Sequence, residues 1–420
     1  MISLLLAVAA LAQEPSHAIR CGKLLDIKSG LYKADQMIVV TGEKIVSVGP
    51  AAAAKPPADA VAIDLSKGVC MPGLIDVHDH LTSDPTGSGY SSLGLGVTRA
   101  AIKGVKNARK TLLAGFTTVR NVGAGGFADV ALREAIEAHE VEGPRLFVSG
   151  PALGITGGHC DENLLAYDYH YKSDGVADGP WAVRAKVREN VKYGADLIKF
   201  CASGGVLSKG DQPGTPQYTL EEMKALVEEA HKLGRKVAAH AHGTISIKEA
   251  ILAGVDSVEH SSLIDDEGIR LAKERGTFLV FDIYNDDFIL QEGAKNGMLP
   301  ESIEKERKIG KLQRENFRKA YLAGARMAFG TDGGVYPHGD NWRQFWVMAE
   351  WGMKPIETLR AATLSAAELI GIAGQTASVE TGYWADIIAL EGDPLVDLHL
   401  MKNVRFVMKA GEVYRNDWKK

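Results

Sequence analysis

Short runs of alternating apolar and polar residues open the chain. Residues 22–27, 35–40 and 44–48 each predict a strand, with Gly42-Glu43 as a tight turn between two of them. Helical spacing is not evident before Ala51, so this stretch predicts part of a small β domain. From Gly73 the pattern changes to apolar runs separated by segments of helical period. The runs at 74–80, 117–122, 145–149, 197–203, 236–242, 257–263, 278–284 and 326–332 predict eight strands. Between two of them, the segment 220–233 places Met223, Leu226, Val227 and Ala230 at helical spacing, with Gly234 where a helix stops. Eight strand–helix units in about 300 residues predict an α/β fold of the (β/α)8, TIM-like barrel type, a doubly wound sheet being the weaker alternative. Strands return at 385–390 and 404–409, followed by a turn at Gly411-Glu412. Both chain ends are therefore expected to complete one small β-sandwich domain, from 13–72 and 373–420, with a barrel of 73–372 inserted between them.

Composition alters this picture little. A chain of 420 residues exceeds one simple domain, and its 45% apolar and 24% charged residues are ordinary for a globular protein. A formal net charge of −5 gives no reason to expect a nucleic-acid or anionic-membrane partner. The apolar run 1–12 ends in Ala10-Leu11-Ala12 and reads as a possible signal peptide with Gln13 as mature start, although no positive charge precedes it. That predicts a periplasmic or secreted protein, or a cytoplasmic one if the run is a misassigned start. No other run is long enough to span a bilayer, so no membrane partner is expected after leader removal. The four cysteines, Cys21, Cys70, Cys160 and Cys201, are scattered without a Cys-x-x-Cys pair, and buried free thiols are expected.

Candidate chemistry changes the picture more. In a barrel of this type the reactive groups sit at the C-terminal strand ends. Those ends carry His78 and His80, Lys199, His240 and His242, His260, and Asp332, including five of the chain's twelve histidines. Alternation along a strand turns His78 and His80 to one face. Imidazoles and carboxylates bind zinc at about 2.0–2.2 Å, and two ions ~3.5–4 Å apart can share a water, lower its pKa and polarise a scissile carbonyl. Lys199 suits such a centre only if burial removes its proton. The neutral amine can then take up carbon dioxide and become a bidentate, anionic carbamate; a lysine paired with a carboxylate is the alternative.

The His-x-His of Gly73-Leu-Ile-Asp-Val-His-Asp-His80, with Lys199, His240, His260 and Asp332, resembles the amidohydrolase superfamily of binuclear type. Longer stretches are similar to its metal-dependent carboxypeptidase/dipeptidase branch: Ala114-Gly-Phe-Thr-Thr-Val-Arg-Asn-Val-Gly123, Gly150-Pro-Ala-Leu-Gly-Ile-Thr-Gly-Gly-His-Cys-Asp161, Asp196-Leu-Ile-Lys-Phe-Cys-Ala-Ser-Gly-Gly205, Ala238-Ala-His-Ala-His-Gly243 and Phe329-Gly-Thr-Asp-Gly-Gly334. That branch includes zinc-dependent arginine/lysine carboxypeptidases, prolidase-like enzymes and ochratoxin A-hydrolysing amidases. The resemblance implies two divalent ions, zinc by expectation. His78, His80 and Asp332 would hold the more buried one and His240 and His260 the other, with carboxylated Lys199 as bridge. It further implies Asp332 as general base, His242 facing the substrate, His159 binding the substrate's terminal carboxylate, and a homo-oligomer, an octamer being in keeping with it. Tyr218 is a candidate hydrogen-bond donor to the oxyanion, with a packing tyrosine at a helix start as the alternative.

The expected activity is hydrolysis of the amide next to a free C-terminal carboxylate, in dipeptides, short peptides or N-acyl amino acids, ochratoxin A-type amides included. A prolidase-like Xaa-Pro dipeptidase is the first alternative. A deaminase or cyclic-amide hydrolase of the superfamily follows, although a deaminase would be expected to show a glutamate just beyond the strand-5 histidine, where this chain has His242. A non-catalytic metal-binding scaffold is the alternative outside enzymes. A basic substrate would want acidic loops, for which Asp161, Glu162, Asp286 and Asp287 are the weak candidates.

Overall fold

The computed structural model of the protein describes residues 15–418; the expected leader at 1–12 lies outside the described residues. In chain order the strands are β1 (Ser16–Asp26), β2 (Leu31–Thr41), β3 (Lys44–Pro50), β4 (Val61–Pro72), β5 (Leu74–Asp79), β6 (Phe116–Asn121) and β7 (Arg145–Val148). They continue as β8 (Leu197–Cys201), β9 (Lys236–Ala241), β10 (Ser257–His260), β11 (Phe278–Val280), β12 (Ile387–Leu390), β13 (Val404–Lys409) and β14 (Glu412–Asn416). The helices used below are α1 (Val97–Leu113), α2 (Ala128–Glu137), α3 (Pro180–Lys192), α4 (Leu220–Lys232), α5 (Thr244–Ala253), α6 (Asp266–Arg275), α7 (Asn285–Glu292) and α8 (Pro300–Leu322).

The two chain ends share one ladder of order β14-β13-β12-β4-β1-β2-β3. The seam is β12 against β4, antiparallel, with Ile387 opposite Pro72 and Leu390 opposite Val69. Period-two alternation buries Ile19 and Cys21, Ile38 and Val40, Ile63 and Leu65, and Phe406 and Met408 in one cluster. Cys21 and Cys70 meet in that cluster as a disulfide, and Cys160 and Cys201 form a second. The expectation of free thiols is thereby corrected. Partners 49 and 41 residues apart in the chain carry no spacing signal, and only the fold brings their Cα atoms to 6.0 Å.

Two parallel sheets carry the remaining strands, in the orders β5-β6-β7 and β8-β9-β10-β11. The helices between them end where the sequence stops them. In α4 the Thr219 side chain and Glu222 form a reciprocal cap, and Gly234 follows at φ +72°. Backbone bonds also run between the sheets: Leu153 N–H donates to the Lys199 carbonyl at 2.8 Å, and Cys201 N–H to the Leu153 carbonyl at 2.8 Å.

The segment 326–332, expected as an eighth strand, is instead irregular. Leu279 N–H donates to the Arg326 carbonyl and Val77 N–H to the Phe329 carbonyl, both at 2.9 Å, so the segment lies between β11 and β5. It pairs only through isolated bridges, Met327 with Leu279 and Gly333 with Asp79, and Asp332 at φ +55° turns the chain at its end. His260 at φ +67° and Ser261 at φ +50° turn the chain in the same left-handed way just past β10. Non-glycine residues in that region are strained and concentrate at functional sites.

Candidate active site

β5 delivers His78 and His80 to one side and Asp79 to the other, where Asn341 Nδ2 donates to it at 3.2 Å. The two Nε2 atoms face Asp332 Oδ1, at 3.4 Å from His78 and 3.2 Å from His80. Their other ring nitrogens point at protein. His78 Nδ1 lies 3.2 Å from Glu259 Oε2, and His80 Nδ1 lies 3.3 Å from the Gly123 carbonyl. Glu259 is in turn fixed by Arg120 Nη2 at 2.8 Å and Ser257 Oγ at 2.5 Å. Partners of this kind behind an imidazole set its orientation and leave the opposite nitrogen free.

The end of β9 supplies His240 and His242, and β10 supplies His260. The His260 ring centroid lies 4.5 Å from that of His240 and 4.6 Å from that of His242. His240 Nε2 is 3.2 Å from the Gly204 carbonyl, which leaves Nδ1 unengaged. His242 Nδ1 is engaged by Ser262 Oγ at 2.7 Å and His260 Nδ1 by Asp282 Oδ2 at 3.0 Å, which leaves their Nε2 atoms. Gln313 Nε2 and Asn285 Nδ2 each donate to Asp282 at 2.7 Å, and Asn285 also donates to Asp332 Oδ2 at 3.1 Å. One network therefore holds both halves of the site.

Burial and the neighbouring carboxylates set the charge states, and the His260 pKa is raised because Asp282 and Asp332 outweigh its burial. Burial lowers the His78 pKa to about 4, with Lys199 adding to the effect, and holds His240 and His242 well below the ordinary histidine value. Neutral imidazoles are the form that binds metal. Asp332 resists the same burial because His78, His80 and His260 hold its carboxylate ionised, well below the usual range. Lys199 is 3% exposed, and its Nζ has no hydrogen-bond partner among the described residues. Burial pulls its pKa down to about 8, against the attraction of Glu259 and Asp332.

Ligand atoms of His240, His242 and His260 lie within 4.8 Å of one another, as do those of His78, His260 and Asp332. Imidazoles, an ionised carboxylate and an unpartnered buried amine form a donor set that fits divalent cations, a bound cation displacing any proton from His260 Nε2. His78, His80, Lys199, His240, His260 and Asp332 could hold them, with His242 in ligand range as well.

These groups line one cavity of about 670 Å3, a size suited to a small ligand. His159 lines it too, its ring stacked on His240 with centroids 4.2 Å apart. Its Nδ1 faces Ser208 Oγ at 2.8 Å. Ser208 donates to Asp211 at 2.6 Å, and Lys305 Nζ reaches Asp211 at 2.9 Å. Gly205 is required here, because a Cβ at that position would overlap the His159 ring.

Residues 69–414 match the model of the Amidohydrolase family. The chain belongs to the amidohydrolase family. An ochratoxinase from Aspergillus niger is 35% identical over 370 residues, spanning 83% of this chain and 76% of that protein. Among solved structures, a Xaa-Pro dipeptidase with bound methionine in the active site superposes with a TM-score of 0.90 at 37% identity, covering 96% of this chain and 100% of that one. A prolidase complexed with N-methylphosphonate-L-proline gives 0.86 at 33% identity, with the same coverage.

Two expectations about this amidohydrolase need correction. Tyr218 is 1% exposed, does not line the cavity and donates its hydroxyl to the Ala177 carbonyl at 2.9 Å. Packed in the main core cluster with Phe200, it is the packing tyrosine of the alternative reading. Of the acidic loop candidates, Asp161 and Glu162 line the cavity, Glu162 accepting from the Leu164 N–H at 2.9 Å, whereas Asp286 and Asp287 do not line it. Asp161 accepts from the backbone N–H groups of Gly157 and Ser173, and Asp286 and Asp287 pair with Arg314 at 3.4 and 3.0 Å. Asp282 escaped the sequence reading although it lies within the run 278–284, and attention to strand ends would have found it. Gln313 and Asn285 lie on helices with no local signal for their role.

Proposed function

We propose that this amidohydrolase cleaves the amide bond next to a free C-terminal carboxylate in dipeptides, short peptides or N-acyl amino acids. The supporting observation is that His159 stands beside two triplets of metal-competent donors in one cavity. The names of its relatives, an ochratoxinase and a Xaa-Pro dipeptidase, point to amide substrates of this form. In this reading the parallel strands and the 326–333 segment close as one (β/α)8 barrel over 73–372, flanked by the β domain of 13–72 and 373–420.

His78, His80 and Asp332 would hold one divalent ion and His240 and His260 a second, zinc in both positions, with carboxylated Lys199 between them. Bound there, the ions supply Lewis acidity toward the scissile carbonyl and lower the pKa of water. Asp332, kept ionised by three imidazoles, takes a proton as the oxygen of water bonds to the carbonyl carbon. It then delivers that proton to the amine nitrogen as the C–N bond breaks. His242, its Nδ1 held by Ser262, turns Nε2 toward the carbonyl oxygen. His159 donates its Nδ1–H to Ser208, whose hydroxyl is given to Asp211. Burial lowers its pKa to about 4 against the pull of Asp211, so it would bind the terminal carboxylate through Nε2–H only on protonation, which the incoming anion favours.

Asp332→Asn is expected to abolish hydrolysis of a dipeptide and N-acyl amino acid panel while leaving the fold intact by circular dichroism. Retained turnover removes Asp332 from the proton path. Lys199→Ala is expected to lose metal and activity together, with partial recovery on adding short carboxylic acids. An alanine variant that holds two metals unaided would contradict the carbamate bridge.

A further inference from the structure

The cavity has a second polar end that the metal-competent donors do not use. Ser302 and Glu306 stand one turn apart on one face of α8, and both line the cavity. Glu306 is 4% exposed, and its carboxyl makes no hydrogen bond or ion pair among the described residues. Ser302 Oγ is likewise buried without a partner. Val206, Ile289, Met298 and Val335 form one apolar cluster and line the cavity with them, joined by Leu299.

Neighbouring groups decide which charge this end can carry. Gly310, one turn beyond Glu306, lets its carboxyl and that of Asp286 on α7 come together. A Cβ at that position would lie 2.8 Å from Glu306 Oε1 and 2.2 Å from Asp286 Oδ1. Two carboxyls held this close in a buried place do not both ionise. Arg314 pairs with Asp286 at 3.4 Å and Asp287 at 3.0 Å and donates to the Ile283 carbonyl, so Asp286 is the compensated member. Glu306 has burial, Asp286, Asp282 and Asp332 against its ionisation, which Arg314 offsets only in part, and its pKa is raised to about 8. Lys305 is turned away, held by Asp211 and the Gly205 and Ser208 carbonyls. Near neutral pH this end of the cavity therefore holds an un-ionised carboxylic acid beside a hydroxyl.

An un-ionised carboxyl offers one O–H donor and a carbonyl acceptor, and a serine hydroxyl can act as either. An apolar sleeve ending in this pair presents no counter-charge to a cationic tip. A carboxamide fits it in both directions. Its carbonyl accepts the Glu306 O–H, while its NH2 donates to the Glu306 carbonyl and to Ser302 Oγ. A wholly apolar side chain would fill the sleeve and leave both groups unpaired, the case that a site built for hydrogen bonds rejects. Lys305, adjacent to Glu306, clamps the loop whose Ser208 holds His159. This puts the sleeve on the side where the reading above places the terminal carboxylate.

We propose that Glu306 and Ser302 form a subsite for a neutral carboxamide and select substrates whose C-terminal residue is glutamine. The inference rests on the amide-hydrolase reading and assigns its leaving residue. The test compares Ala-Gln with Ala-Met, similar in length but without the amide, and with Ala-Arg as a cationic probe, on the metal-loaded enzyme. The kcat/KM ratio is expected to favour Ala-Gln over Ala-Met by roughly 10- to 100-fold at pH 7. It should fall as pH rises through about 8, where Glu306 loses its O–H. Glu306→Gln is expected to keep the preference, since an amide pairs with an amide, and to remove the pH dependence of the ratio. Glu306→Leu is expected to bring the ratio near one. Calorimetric titration with free L-glutamine and L-methionine is expected to follow the same order in each protein.

A wild-type ratio near one, or a preference that survives in Glu306→Leu, overturns the assignment. A preference for Ala-Arg over Ala-Gln that Glu306→Gln abolishes overturns it too, because an ionised carboxylate would then be the selecting group. If Ala-Gln and Ala-Met are hydrolysed alike, the hydrolase reading stands and the subsite falls. If neither is hydrolysed yet glutamine binds through residue 306, the subsite stands and the hydrolase reading falls. Failure of both readouts removes both.

Discussion

Carboxyl groups within one cavity are driven in opposite directions by their neighbours. Asp332 is surrounded by His78, His80 and His260 and stays ionised, whereas Glu306 has burial and three aspartates, Asp286, Asp282 and Asp332, against it, which Arg314 offsets only in part. The Glu306 contrast has a consequence for stability. Burial raises its pKa from the ordinary glutamate value of about 4.5 to about 8, so between those values the native state holds more protons than the unfolded chain. Stability attributable to this group therefore falls as pH rises through that window and stays low above it. Glu306→Gln is expected to melt close to the wild type at pH 4 and to be more stable by roughly 1–3 kcal/mol at pH 8.5. Equal stability differences at the two pH values in thermal denaturation would contradict the buried, unpaired state. Tyr218→Phe provides a control of opposite kind. Losing the bond to the Ala177 carbonyl should cost about 1–2 kcal/mol in chemical denaturation while kcat is unchanged. That His78 and His80 face one side was legible because strand alternation is a local rule. Glu306 was not, since its isolation depends on where Arg314 and Lys305 turn.

At the scale of elements, the site is assembled by segments that fasten one another. The Cys160–Cys201 disulfide ties the loop of His159 to the end of β8, two residues beyond Lys199. The chain from Lys305 on α8 through Asp211 and Ser208 holds the same histidine from the other side. Cys160→Ser with Cys201→Ser should raise KM for carboxylate-bearing substrates more than it lowers kcat. An unchanged KM would show that the α8 side alone positions His159. The Cys21–Cys70 disulfide closes a 49-residue separation far from this chemistry. Its removal is expected to cost up to about 4 kcal/mol in denaturant titration with activity retained at low temperature. Strands, α4 with its stop at Gly234, and the strand-end histidines could all be read from periodicity. Disulfides, the irregular 326–332 segment and the Gln313–Asp282–His260 contact could not, because each is decided by residues distant in the chain.

The whole molecule places a ladder sewn from both chain ends directly against the strand that carries the first two histidines. β4 ends at Pro72 and β5 begins at Leu74, and β12 pairs along β4 up to Pro72. The β-rich ends were legible in alternation, and their expected union in one sheet follows from that β12–β4 register. Substrate identity was far less legible, since the cavity draws residues from many separate loops and from α8. The proposed hydrolysis depends on His78, His80, Lys199, His240, His260 and Asp332 acting as one centre for two divalent cations. Anomalous diffraction from zinc-loaded crystals tests this most directly. The account predicts two peaks, one among His78, His80 and Asp332 and one between His240 and His260, joined by density extending from Lys199 Nζ. A single peak, or zinc held away from these side chains, would contradict it.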